Sequence, residues 1–307
     1  MPTPLRRLLR VTPQQLRAFE ATARLRSMTR AAEELHVSQP TVSVQLRELA
    51  HAVGEPLVEI LGRRLRLTPA GEALQATVGE LSDCWSRLEA RLAEARGLVR
   101  GRLRIAAVTT AEYFVPDLLG PFAEAHPGVE IELAIENRDR VVERLQRGFD
   151  DLVVMMLPPE SLALATVPFL DNPLVVIAGR QHPLGGREIE LLELAEARWL
   201  MREQGSGTRK VAEQHFSDLG FNPRIAMSLG SNEAIKHAAA AGLGIAVLSA
   251  LAVRSSAHSN GASAVDPALM ILNVRGFPLQ RRWFVVWRKD QLQSIAARRF
   301  VEYLQTR

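Results

Sequence analysis

The hydrophobic rhythm of the chain changes near residue 100. Before it, apolar residues recur at intervals of three and four, the spacing of one helix face; after it, short apolar runs alternate with helical stretches. Thr12 can cap a helix through Arg26 that turns Leu16, Phe19 and Ala23 inward. Ser27 then caps a compact helix over Met28–His36 whose apolar face is Ala31, Ala32 and Leu35, and Val37 forms the turn. Ser38 caps the next helix. Pro40 sits in its first turn, where a missing N–H costs nothing, and Val42, Leu46 and Leu49 point toward the core. The opposite face of that helix carries Gln39, Thr41, Ser43, Gln45 and Arg47. Two short helices joined this tightly predict a helix-turn-helix over Ser27–Arg47.

After Gly54, Leu57–Ile60 and Leu65–Leu67 alternate like two short strands around Leu61-Gly62-Arg63-Arg64, which makes a wing. Thr68-Pro69 then opens a long helix that runs to about Arg96 and stops at Gly97. Its apolar positions Leu74, Val78, Leu81, Trp85, Leu88, Leu92 and Ala95 are spaced 4, 3, 4, 3, 4 and 3, a heptad seam. Such a seam could pack on its own domain. A helix that joins two domains has little of its own chain to lie on, so the seam predicts a homo-oligomer.

From Gly101 onward, strands are predicted at Leu103–Val108, Val129–Glu136 and Leu152–Met156, with helices through Glu124 and over Val141–Gln146. This order implies a parallel, doubly wound sheet. A second unit has strands near 174–177, 199–201, 224–229 and 245–248, and helices near 208–219 and 232–241. Ser255–Ala264 reads as a surface loop, Trp283–Trp287 as a strand, and Ser294–Leu304 as a closing helix that returns to the first unit. The expected domains are 11–68, 69–97 and 102–307.

Composition changes this picture little. The 307 residues are 47% hydrophobic and 23% charged with net charge +4, ordinary for a folded soluble protein. Charge is uneven, however: residues 1–70 hold eleven Arg against six Asp or Glu, an excess of five, where phosphate neutralisation would need it. The single cysteine, Cys84, allows neither an internal disulfide nor a multi-cysteine metal site. The basic N-terminal stretch lacks an apolar run of signal length and no stretch approaches a membrane span, so a cytoplasmic location is expected.

Short polar side chains at the start of a helix, followed by a cation, suit base readout in the DNA major groove. Gln39 is the foremost candidate, because a Gln amide donates to and accepts from adenine at once. Arg30, Ser38, Pro40, Thr41, Ser43, Gln45 and Arg47 complete the expected DNA face, and Arg63 and Arg64 of the wing are expected to reach phosphates or the minor groove. The bland alternative is a helical hairpin with a solvated polar face and a solvated turn.

Three turns at strand ends are rich in small hydrogen-bonding residues: Thr109-Thr110, the 204–209 segment QGSGTR, and Gly230-Ser231-Asn232. Helix N-terminal amides, the hydroxyls and the guanidinium groups of Arg202 and Arg209 would together favour an anion, a phosphate or carboxylate. The candidate effector site is therefore Thr109, Thr110, Arg202, Gln204, Ser206, Gly207, Thr208, Arg209, Ser231 and Asn232. Each turn alone could merely cap a helix; three at equivalent strand ends favour a ligand. Ser206 lies between glycines, but Gln204 and Thr208 stand where a nucleophile elbow needs Gly. No metal motif, P-loop or GxGxxG is present, so neither an enzyme, a metal nor a bound cofactor is expected.

Thr29-Arg30-Ala31-Ala32, Leu35, Val37-Ser38-Gln39-Pro40, Val42-Ser43 and Leu67-Thr68-Pro69-Ala70-Gly71 resemble the signature of LysR-type transcriptional regulators. Ala50, Val58 and Ile60 depart from it, standing where an acid, a Phe and an Arg are usual; the last removes one expected phosphate contact. The resemblance implies an α+β multidomain chain: a winged helix-turn-helix, a dimerising linker helix (Leu74, Val78, Leu81, Trp85, Leu88, Leu92) and a two-lobed effector domain built like a periplasmic solute-binding protein. It implies double-stranded DNA as partner, a homodimer that pairs into a dimer of dimers, and RNA polymerase as a further partner. His182-Pro183-Leu184 also fits the family. Within it, Arg202–Arg209, Leu229–Lys236 and Arg281–Val286 are similar to the CbbR subgroup that controls Calvin-cycle carbon fixation. That resemblance implies an effector such as ribulose 1,5-bisphosphate, 2-phosphoglycolate, phosphoenolpyruvate or NADPH. The alternatives are control of another metabolic operon through a carboxylate effector, or an enzyme or solute receptor built on the two-lobed fold, the receptor disfavoured by the missing signal peptide and the DNA-binding head.

Overall fold

The computed structural model describes residues 10–61, 64–94, 99–254 and 265–306. Gly97, Ala95, Arg63 and the 255–264 loop, all singled out in the sequence, lie outside the described residues. The chain divides into two compact units, Met1–Glu89 and Ala90–Arg307.

The first unit starts with α1 (Pro13–Leu25), closed by a capping box in which Thr12 and Gln15 bond each other's backbone N–H. α2 (Met28–Glu34) is capped by Ser27 and α3 (Gln39–Val53) by Ser38, as their sequences require. α2 ends before the expected His36, because Leu35 caps it and His36 turns left-handed at φ +54°. Phe19, Ala31, Val42 and Leu49 are fully buried and join the three helices in one core. β1 (Val58–Leu61) and β2 (Arg64–Leu67) pair antiparallel as a wing. α4 (Pro69–Glu94) follows, its first turn held by the Thr68 hydroxyl accepting from Gly71 N at 3.0 Å.

The second unit has two lobes. In the first, β4 (Val129–Glu136), β3 (Gly101–Val108) and β5 (Leu152–Met155) are parallel neighbours. β13 (Arg282–Arg288) and β6 (Leu164–Asp171) complete a sheet ordered β4-β3-β5-β13-β6. A 3-10 turn (Thr109–Tyr113), α5 (Val115–Ala125), α6 (Arg138–Arg147) and α10 (Ile295–Gln305) belong to this lobe. The continuous helix expected from Thr109 breaks at Phe114, because Pro116 starts a new one. In the second lobe β7 (Leu174–Gly179) lies between β11 (Ala246–Ser249) and β12 (Leu269–Val274), with β8 (Glu188–Ile189) beyond β12. β9 (Arg198–Arg202) and β10 (Arg224–Leu229) pair in parallel and join through a Trp199–Ile245 bridge. α7 (Gly207–Asp218), α8 (Asn232–Ala240) and the short α9 (Ala250–Val253) pack here.

The expectation of a wholly parallel sheet is corrected. β13 runs antiparallel to both neighbours, and β7 is antiparallel to β11 and β12. The cause is the double crossing between lobes: the chain leaves at Asn172-Pro173 and returns between Val274 and Arg282 without a crossover helix. The two crossing segments are tied together, Asn172 N donating to Arg281 O at 2.7 Å. β6, β8 and β12 were absent from the sequence reading. β6 contains Pro168, tolerated because β6 is the edge strand and a bulge opposes it between Trp283 and Phe284.

Candidate DNA-reading head and effector cleft

The cap of α3 brings the expected base-reading residues to one end of that helix. Ser38 and Thr41 hydroxyls bond each other at 2.8 Å, and Ser38 also accepts from Thr41 N. Gln39, Pro40, Thr41 and Arg47 are exposed and Ser43 is half-buried. Behind them Val42, Leu46 and Leu49 lock the helix, and Gln15 Nε2 bonds Glu48 Oε2 at 3.0 Å across the bundle. Two expected DNA contacts are placed otherwise. Arg30 gives its guanidinium to the Leu25 carbonyl at the end of α1, and Gln45 is half-buried with its Oε1 shielded and unpaired. Arg63 and the Arg64 side chain lie outside the described residues, while Arg66 is exposed on β2 opposite Glu59.

The heptad seam divides along its length. Leu74 and Val78 are partly buried against the core of the head. Leu81, Trp85 and Leu88 are exposed, Trp85 at 66%. Cys84, beside them, is also exposed. The side chain of Leu92 lies outside the described ones. The first two seam residues thus serve the head itself, because Pro69 starts the helix directly against Leu57 and Leu67 of the wing, and the next three stand exposed beyond it.

The second unit holds a cleft between its lobes, a space of about 360 Å³ open to solvent. Val108, Thr109, Thr110, Arg138, Met155, Met156, Leu157 and Trp283 line it from the first lobe, and Arg202, Glu203, Ser206, Gly207 and Thr208 from the second. The carboxyl ends of β3, β5 and β9 therefore meet there, where open α/β sheets place ligands. Ser206 is the N-cap residue of α7, yet its hydroxyl makes no capping bond. It and Thr208 are buried, at 4% and 5% exposure, on the cleft wall, so the first turn of α7 offers hydroxyls and free amide N–H groups together.

The cations are held firmly. Arg202, 3% exposed, gives Nε and Nη2 to the Glu203 carboxylate at 2.8 and 3.0 Å and Nη1 to Asn232 Oδ1. Arg138 bonds the Leu157 carbonyl through Nε and Nη2 at 3.2 and 3.0 Å. Among the described residues polar bridges cross between the lobes, one of them from Asn137 Nδ2 to Gln204 O at 3.4 Å. Asn137 Nδ2 donates to Glu203 Oε1 at 2.6 Å, Asn232 Nδ2 to Thr110 Oγ1 at 3.3 Å, and the Tyr113 hydroxyl to Glu233 Oε1 at 2.6 Å. Burial, and after it the bond to Glu233, holds the Tyr113 phenol protonated, well above its ordinary range. Burial also raises Glu112 beside it.

Of the ten expected effector residues, Thr109, Thr110, Arg202, Ser206, Gly207 and Thr208 line the cleft. The other four do not. Gln204 is exposed, and Ser231 accepts from Ala234 N as an ordinary N-cap. Asn232 is buried behind the wall, bridging Arg202 and Thr110. Arg209 bonds Glu213 Oε1, Arg202 O and Ser228 Oγ, clamping β9 to β10 under the helix. Arg138, Glu203 and Asn137 were missed. Asn137 had a signal in the sequence, since Asn-Arg-Asp following an alternating strand is an N-cap at a fourth strand end. Among the described residues no three His, Cys, Asp or Glu are grouped to hold a metal ion, and no helix is long and apolar enough to cross a membrane.

Comparison with known proteins agrees with both halves of this architecture. Residues 13–72 match the bacterial regulatory helix-turn-helix protein, lysR family, and residues 96–307 match the LysR substrate binding domain. The chain is 43% identical over 294 residues to the HTH-type transcriptional activator CmpR of Synechocystis sp., covering 95% of this chain and 94% of that protein. It is also 43% identical over 294 residues to the RuBisCO operon transcriptional regulator of Acidithiobacillus ferrooxidans, covering 95% and 93%. The structure of the Synechocystis PCC6803 CcmR regulatory domain in complex with 2-PG is 42% identical, covers 67% of this chain and 96% of that one, and superposes with a TM-score of 0.61. A helix-turn-helix head, a long connecting helix and a two-lobed unit with a polar cleft, matched over nearly the whole chain, establish that this protein belongs to the LysR family of transcriptional regulators, which bind DNA as oligomers and are not enzymes.

Proposed function

We propose that this regulator controls carbon-fixation genes in the cytoplasm in response to a small anionic metabolite bound between the two lobes of its second unit. The observation that carries the reading is the first turn of α7: Ser206 and Thr208 are buried on the cleft wall beside Arg202, with no capping bond made by Ser206. Free amides, hydroxyls and a buried guanidinium converge on one small volume, which is the chemistry of a phosphate or carboxylate site. 2-Phosphoglycolate, ribulose 1,5-bisphosphate, phosphoenolpyruvate and NADPH all carry such a group.

The division of labour follows the chain. Residues 11–68 read the operator through Gln39, Ser38, Pro40, Thr41, Ser43 and Arg47, with Arg30, Gln45 and the wing arginines Arg63 and Arg64 in support. Residues 69–97 pair two copies through Leu81, Trp85, Leu88 and Leu92, and residues 102–307 sense the effector. Two such dimers assemble on DNA, where RNA polymerase is the partner that reads the outcome. Effector binding changes the angle between lobes and so the spacing of the heads, which changes the DNA bend.

A thermal-shift titration of the full chain against the four metabolites, with sulfate as control, tests the reading. A ligand at one hundred times its dissociation constant adds about 2.7 kcal/mol to the stability of the unit that binds it. The expected result is a shift with a phosphorylated metabolite, none with sulfate, and a blunted response in Thr109→Val and Thr208→Val. A full response in both variants moves the site elsewhere.

A further inference from the structure

We propose that Glu203 is a built-in counter-anion of the cleft, and that the effector binds by displacing its carboxylate from Arg202. The inference rests on the cleft being the effector site. Glu203 presents two oxygens to the Nε and Nη2 edge of Arg202 at 2.8 and 3.0 Å, the fork geometry by which a guanidinium takes a carboxylate or phosphate. The remaining terminal nitrogen, Nη1, is held by Asn232. Every nitrogen of the buried cation is therefore engaged before any ligand arrives, and its Nε–Nη2 edge is engaged by an acid that itself lines the cleft.

Arg202 and Asn232 are at 3% and 1% exposure, whereas the Glu203 side chain is at 26%, so it is the partner that can leave toward water. Its departure has a second effect. Glu203 Oε1 also accepts from Asn137 Nδ2 at 2.6 Å, and Asn137 belongs to the other lobe, where its Oδ1 caps α6. Displacement therefore breaks a contact between lobes at the moment an anion is taken up, which couples occupancy to the angle between them. It also sets the class of ligand: the displacing group must be an oxyanion with two oxygens to offer, a carboxylate or phosphate, because a neutral hydroxyl cannot replace a carboxylate on a buried guanidinium.

The test is isothermal titration of the full-length protein and its Glu203→Gln variant with 2-phosphoglycolate and with inorganic phosphate, alongside melting curves to check that the variant folds. Gln keeps the size of the side chain and one acceptor oxygen but removes the competing charge. The expected result is at least about tenfold tighter binding to the variant, equivalent to 1.4 kcal/mol. Unchanged affinity overturns the inference, and weaker binding does so too, since it would make Glu203 an acceptor for ligand hydroxyls. If Glu203→Gln melts early, Glu203→Ala is titrated in its place with the same expectation. Failure of wild type and variant alike to bind either anion sinks the reading of the cleft, and this inference with it; a wild type that binds and a variant that binds no tighter sinks the inference alone.

Discussion

Gly205→Ala should separate folding from effector binding. Gly205 has φ +81°, and a Cβ there would lie 2.5 Å from Asp139 Oδ2 and 2.8 Å from Asn137 Oδ1, both on the opposite lobe. The left-handed backbone costs an alanine about 1–2 kcal/mol whichever way the lobes stand. The contact part is different. Asp139 is 64% exposed and can swing aside, but Asn137 is held by capping α6, so it cannot yield cheaply. Overpacking of this kind costs about 1–3 kcal/mol, and it is relieved if the lobes part. The backbone part should lower the melting temperature of a unit this size by roughly 2–8 °C. The contact part should weaken effector affinity by about 5- to 150-fold, since only the closed arrangement carries it. Melting curves and effector titration on the same protein read the two parts. Gly230→Ala is the control, because no heavy atom lies within 4 Å of a Cβ there and its φ is not positive. Wild-type effector affinity in Gly205→Ala, or equal damage from Gly230→Ala, would refute the reasoning.

Two further predictions concern the first unit. Gln39→Ala should reduce the preference for operator over scrambled DNA by roughly 1–3 kcal/mol while leaving the salt dependence of binding unchanged, measured by gel shift at several salt concentrations; an unchanged preference removes Gln39 from readout. Trp85→Ser should weaken self-association in sedimentation equilibrium without lowering the stability of the monomer, because the ring is 66% exposed on its own unit; an unaltered association constant means the exposed stretch of the seam is not where two copies meet.

The head was legible because its signals are short-range. Thr12, Ser27 and Ser38 each stand three residues before the amide they bond, and Val42, Leu46 and Leu49 bury on one face, so every signal lies within a few residues of what it fixes. The seam was legible only in part. Val78 and Trp85 are equivalent in the heptad, yet one packs against the head and the other is exposed, and no spacing rule knows where the wing ends. In the second unit the sequence exposed the turns but not their neighbours. Arg209 looked as available as Arg202, and only the pairing of β9 with β10 shows that its guanidinium is spent on Ser228 and Glu213. Glu203 was not singled out, because its partner Asn137 stands on another lobe and is joined to it by topology and not by spacing.

These placements decide how the cleft can work. Among the described residues its two walls are joined by polar bridges from Asn137, Thr110 and Tyr113 on one side to Glu203, Gln204, Asn232 and Glu233 on the other. Each net hydrogen bond of this kind contributes about 0.5–1.5 kcal/mol, or up to about 3 where a charge takes part. The polar hold between walls is then a few kcal/mol, which a ligand can shift if its affinities for the two arrangements differ by two or three powers of ten. Here Asn137 touches Glu203 and would meet any side chain placed at residue 205, while Glu203 in turn holds the buried cation. The groups that would recognise an anion are thus the groups that hold the walls together, and a ligand acting on the first necessarily acts on the second.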